Sequence, residues 1–127
     1  MSANLQPAFA PVGTFNFDNL LAGDAVPAVT ESIVVASGNL PRGALLGRVT
    51  SSGNWILSLA GASDGSQVPR AILAEPTDAT GGARTTVAYL SGEFNTAAMT
   101  FGTGHTAANT RDALRGLGIF LKTNLPA

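Results

Sequence analysis

Pro69 and Pro76 bracket the apolar run Ala71-Ile72-Leu73-Ala74, and this constrains the chain more than any other feature. A helix interior rejects proline, and an isolated helix needs about 12–15 residues, more than this interval holds. The run is therefore predicted to be a strand, and its unbroken apolar character predicts burial on both faces. Turn-forming residues follow in Thr77-Asp78-Ala79-Thr80-Gly81-Gly82. The next run, Thr85-Thr86-Val87-Ala88-Tyr89-Leu90, is β-branched and aromatic, as a half-buried pleated surface requires. Ser91-Gly92 is then expected to turn the chain into Glu93-Phe94, so that 64–94 reads as strand, loop, strand.

The remaining segments follow the same grammar. AVTESIVVAS, from Ala28 to Ser37, is rich in β-branched residues and predicts a strand ended by Gly38-Asn39. Ala44–Thr50 predicts another, with Arg48 outward. Ser51-Ser52-Gly53-Asn54 connects it tightly to Trp55–Leu59, which makes a hairpin. Asn95 to Thr106 has Ala97, Met99 and Phe101 at spacing two but is cut by Gly102-Thr103-Gly104, so an irregular strand and loop are expected. Asn109 or Thr110 as N-cap and Gly116 as C-cap predict a helix of about two turns. Gly118–Lys122 closes the domain as a strand. Short strands at such spacing indicate a mainly β protein, a small barrel or sandwich, with one short C-terminal helix.

Residues 1–19 stand apart. They contain Pro7, Pro11 and Gly13 and no charge before Asp18, which predicts an extended arm. Leu5, Phe9, Val12, Phe15 and Phe17 make it too apolar for a solvated tail. The arm either packs back on its own domain or engages a partner. The expected division is an arm over 1–19 and a single β-rich domain over 20–127.

Composition narrows the function. Charged residues are 12% of the 127, against about 25% in ordinary domains, so Ser, Thr, Asn, Gly and Ala must form much of the surface. Such a surface suits contact with other protein. The net charge is −1 and the basic residues are dispersed, which argues against a nucleic-acid partner. The absence of cysteine excludes disulfides and thiolate metal sites. No apolar run approaches the ~20 residues of a membrane span and no basic leader precedes the first apolar residues, so a soluble, unprocessed cytoplasmic product with no membrane partner is expected.

Catalytic constellations are equally sparse. His105 is the only histidine, in a Gly-Thr-Gly-His-Thr loop with no carboxylate before Asp112, and reads as a solvated loop residue rather than a general base. Asp64, Glu75 and Asp78 fall at turns, where an aspartate caps its own backbone, instead of forming a cluster for Ca²⁺ or glycoside hydrolysis. Gly81-Gly82-Ala83-Arg84 lacks the lysine and following helix of a phosphate loop. Trp55, the single tryptophan, reads as a core or subunit-interface residue before a sugar-stacking platform, and Tyr89 is assigned likewise. No enzyme, metal or cofactor is expected.

DGSQVPRAILAEPTDAT followed by TTVAYLSGEFN resembles the head decoration proteins of lambda-like tailed bacteriophages. The likeness lies in the order of Asp64-Gly65, Ile72-Leu73-Ala74, Asp78, Thr80, Thr85-Thr86, Tyr89, Ser91-Gly92 and Phe94. It extends upstream through Val49–Ser52 and downstream to the Thr-Arg-rich helix and final strand, from roughly Leu40 to Leu121. The resemblance implies a β-tulip type fold and a non-enzymatic capsid cement. It further implies a homotrimer on the outer surface of the expanded head, at threefold positions, with the major capsid protein and its own copies as partners. Made in the host bacterial cytoplasm, such a protein resides on the virion and resists the pressure of packaged DNA. On this reading the arm is the capsid-binding element, through Leu5, Phe9, Phe15 and Phe17. The alternative is a small carbohydrate- or ligand-binding β module of a phage tail or receptor-binding assembly, with Trp55, Tyr89 and the Asp-bearing loops lining its site.

Overall fold

The computed structural model describes residues 20–23 and 26–122. Leu5, Phe9, Phe15 and Phe17 lie outside the described residues. The strands are β1 (Leu21–Gly23), β2 (Val29–Val35), β3 (Asn39–Leu40), β4 (Leu45–Arg48), β5 (Trp55–Leu57), β6 (Pro69–Leu73), β7 (Thr77–Asp78), β8 (Arg84–Asn95) and β9 (Ile119–Lys122). One α-helix, α1 (Ala107–Arg115), precedes the last strand.

Strand β8, 12 residues long, is the axis of the fold. Its first half pairs with β2 and β6, and the circuit β2-β5-β4-β6-β8 closes a five-stranded barrel. Its second half leaves that wall and pairs with β1 and, in parallel, with β9. The predicted turn at Ser91-Gly92 is therefore absent, because the strand continues through it with a bend. Gly92 takes φ +140°, and a Cβ there would press on the Phe94 ring at 3.1 Å. The register with β2 shifts two residues earlier, between Val29 and Thr30, where Leu90 is the extra residue. Glycine serves here as the bend by which one strand passes from one sheet to another.

The barrel wall separates two cores. Val35, Leu46, Ala71, Leu73 and Ala88 point inward. Leu45, Ile72, Phe94, Leu114, Ile119 and Leu20 pack on the outside, beneath α1, β9 and β1. This explains the unbroken apolar run of β6, since Ala71 and Leu73 face one core and the intervening Ile72 the other. The β4–β5 hairpin forms as predicted, with Leu46 opposite Leu57 and Arg48, exposed, opposite Trp55.

Helix α1 begins earlier than predicted. Its N-cap is Thr106, whose hydroxyl accepts the Asn109 N–H at 3.1 Å, while Asn109 Oδ1 accepts the Thr106 N–H at 2.8 Å. Asn109 is thus the third helical residue of a reciprocal cap, not the cap itself. Thr110 is buried, and Gly116 ends the helix as expected. Upstream, Asn95 caps a 3₁₀ turn, Thr96–Ala98, in place of the expected irregular strand, and Thr100 then forms an isolated bridge with Ala44.

Candidate partner-binding surfaces

Of the carboxylates and histidine singled out in the sequence, Asp64, Asp78 and His105 hold local structure, while Glu75 is exposed. Asp64 Oδ1 accepts the Ser66 hydroxyl at 2.5 Å and the Ser66 N–H at 3.0 Å. Asp78 Oδ1 accepts the Thr80 hydroxyl at 2.6 Å and the Thr80 N–H at 3.1 Å. These bonds favour the ionised form, and first among them the hydroxyl bond holds each carboxyl below its ordinary value of 3.8. Among the described residues no three His, Cys, Asp or Glu side chains converge as a metal site.

His105 departs from the expected solvated state. It is half-buried, and its Nε2 lies 3.0 Å from Ser58 Oγ. The Ser58 hydroxyl spends its one proton on the Ser66 carbonyl at 2.7 Å, so Nε2 must carry a hydrogen and donate to Oγ. Ser58 is fully buried and offers no accessible nucleophile. The three residues clamp the Gly102–Thr106 loop onto the Ser58–Ser66 loop. Gly102 is required for this approach, because a side chain there would collide with the Ser58 carbonyl.

Tyr89 faces the outer core, half-buried. Its ring centroid lies 5.4 Å from that of Phe94, and the Arg42 guanidinium sits over it at 5.6 Å. Arg42 Nη1 also donates to the Tyr89 hydroxyl at 3.2 Å and to the Ala74 carbonyl at 2.7 Å. Tyr89 thereby ties the β6 end to the β8 wall.

Glu93 was not foreseen as more than a strand residue, yet it is only 4% exposed. Its Oε2 accepts the Val26 N–H at 2.9 Å, and its Oε1 pairs with Lys122 Nζ at 3.2 Å. The carboxylate overlies Gly23, where no side chain would fit. One buried acid thus joins the segments around β1, β8 and β9. A legible signal existed in the lone acid of an otherwise uncharged strand end, with a lysine closing the next apolar strand.

Trp55 begins β5. Half-buried, it packs against the inner core and lines an open groove of about 690 Å³ together with Ile33, Leu90, Leu117, Arg48 and Arg70. The barrel thus carries a groove beside Trp55, and its Asp64 and Asp78 loops are held by their own hydrogen bonds.

A family model, described as bacteriophage lambda head decoration protein D, matches residues 12–120. The chain belongs to this family. Comparison with curated proteins finds no relative. The family is one of structural head proteins, not of enzymes. Membership places the decoration protein on the phage head, and among the described residues no helix is long and apolar enough to cross a membrane.

Proposed function

We propose that this decoration protein is a non-enzymatic cement, a homotrimer that binds the outer surface of the expanded head at threefold positions and holds it against the pressure of packaged DNA. The observation that carries the reading is the family match over 12–120. The weakly charged composition adds support, since a ring of copies needs patches that desolvate at low cost. The partners are the major capsid protein and two further copies of the chain.

Residues 1–19 are the capsid-binding arm and 20–127 the decoration domain. In extended backbone Phe15 and Phe17 project to one side, and such a segment adds a strand to an exposed sheet edge while its rings fill pockets. Burying one ring contributes roughly 1.5–3 kcal/mol, against ordering costs of about 1–2 kcal/mol per residue, so a single arm binds weakly. Arms linked in one trimer gain about 10²–10⁴ in overall affinity when the geometry fits.

The test mixes purified protein with expanded heads that lack it and measures occupancy, sedimentation and resistance of the heads to heat. A trimer in solution, saturable occupancy and tougher heads are expected. Deleting residues 2–19 should spare the trimer and abolish occupancy; a truncated protein that still saturates heads removes the arm from the mechanism. A monomer in solution and on the head alike ends the trimer reading, and glycan binding without head binding favours the carbohydrate module.

A further inference from the structure

The barrel closes on one side by a single bridge. Strand β2 meets β5 in parallel only at Val35 opposite Trp55, where the Ala36 N–H donates to the Trp55 carbonyl at 2.8 Å. Backbone groups alternate along a strand, so Ser32 and Thr30, in step with Ala36, direct their N–H and C=O groups to the same edge. Among the described residues no strand lies there, because β5 begins at Trp55. The groove occupies this place, with Trp55, Leu90 and Ile33 as its apolar floor and exposed Leu117 on its rim. Val29, also exposed, continues the apolar strip beside Ser91.

Arg48 and Arg70 also line the groove and meet no carboxylate among the described residues; Arg48 only reaches the Gly53 carbonyl of its own hairpin, at 3.3 Å. Among the described residues Glu31 is the single acid of the lining, which leaves their charge positive in excess. An open edge calls for extended backbone, an apolar floor for alternate apolar side chains, and the two guanidinium groups for a carboxylate.

We infer that the groove beside β2 receives an extended, acid-bearing segment of the head shell subunit as an added strand. The inference rests on the head being the partner, and it supplies a second contact, independent of the arm. The chain's own arm cannot supply the carboxylate from its single acid. Its one acid, Asp18, lies two residues before Leu20, which is fixed by the Asn95 N–H donating to its carbonyl at 2.7 Å. The groove's lining on β8 runs from Thr85 to Leu90, and Leu90, its near end, is five residues back from Asn95. At roughly 3.3 Å per residue that is about 16 Å of strand, against at most about 7 Å of reach for Asp18.

The full-length protein is titrated onto expanded heads lacking it, beside the Arg48→Glu/Arg70→Glu double variant and Ser32→Pro. Both arginines are exposed, so the double variant tests the groove without disturbing the core. The proline removes a donor aimed at the groove and none of the β2–β8 ladder. Each variant should lose at least about tenfold in head affinity, with sedimentation and thermal unfolding unchanged, and the double variant should also lose the salt dependence of binding. Unchanged head affinity of the double variant overturns the inference. So does a change in its sedimentation, which would assign the groove to a second copy of the chain. Failure of the unaltered protein to bind heads would instead overturn the proposed function.

Discussion

The Glu93–Lys122 pair offers a quantitative test of how the second half of β8 is held. At 3.2 Å and an effective dielectric of about 20, the attraction amounts to about 5 kcal/mol. Taking the carboxylate out of water offsets several kcal/mol of this, and Lys122 is 46% exposed, so solvent screens it further. A net coupling of about 1 kcal/mol is expected. Glu93→Gln keeps the shape and an acceptor for the Val26 N–H but removes the charge, and should cost about 1.5–3 kcal/mol. Lys122→Met leaves a buried charge without its partner and should cost about 1–2 kcal/mol despite the exposed lysine. Each variant and the double are unfolded in urea at one fixed protein concentration, since assembly would shift the midpoint. The double variant should be less destabilised than the sum of the singles by about 1 kcal/mol. Additivity within about 0.3 kcal/mol, or a Glu93→Gln cost below about 0.5 kcal/mol, would refute the claim that this acid joins three segments.

Ile72 is fully buried between the barrel wall and α1, so Ile72→Ala should destabilise by about 2–5 kcal/mol in the same assay. Gly92→Ala combines strained φ with pressure on Phe94 and should cost more than about 1 kcal/mol; an unchanged midpoint would show that the bend does not need glycine. His105→Asn should lower stability by about 1 kcal/mol through the lost bond to Ser58 and leave head occupancy intact. For Asp64 and Asp78 the folded carboxyls titrate below the unfolded value of 3.8. Their contribution is therefore present above that value and lost as pH falls through the lower folded one. Carboxyl NMR titration should place both midpoints below 3.8, and Asp64→Asn should flatten the acid limb of the stability profile.

What the sequence disclosed was local. Proline spacing around Ala71–Ala74, the Ser51–Asn54 turn and the Gly116 cap each act within a few residues, and each predicts its element correctly. The misreadings involve partners far along the chain. Ser91-Gly92 looks like a turn until β2 and β9 are known to pair across it. His105 looks solvated until Ser58, 47 residues away, is placed beside it. Glu93 answers to Val26 and Lys122 at once. The groove was half visible, with Trp55 read as a core or subunit-interface residue and Arg48 as outward. The open edge of β2 depends on a parallel contact to β5, which no local pattern encodes.

The placement of β1 has a mechanical consequence. Any tension arriving through the residues before Leu20 enters the domain along β1, which lies antiparallel to β8 and is bonded to it side by side. Pulled along its own axis, such a ladder is loaded in shear, so its hydrogen bonds and the Leu20 packing must yield together instead of opening one after another. The Val26–Glu93–Lys122 contacts then hand the load to β9, at the far edge of the same strand. The anchor is short, yet it is oriented to break at a higher force than an equal number of bonds peeled in sequence.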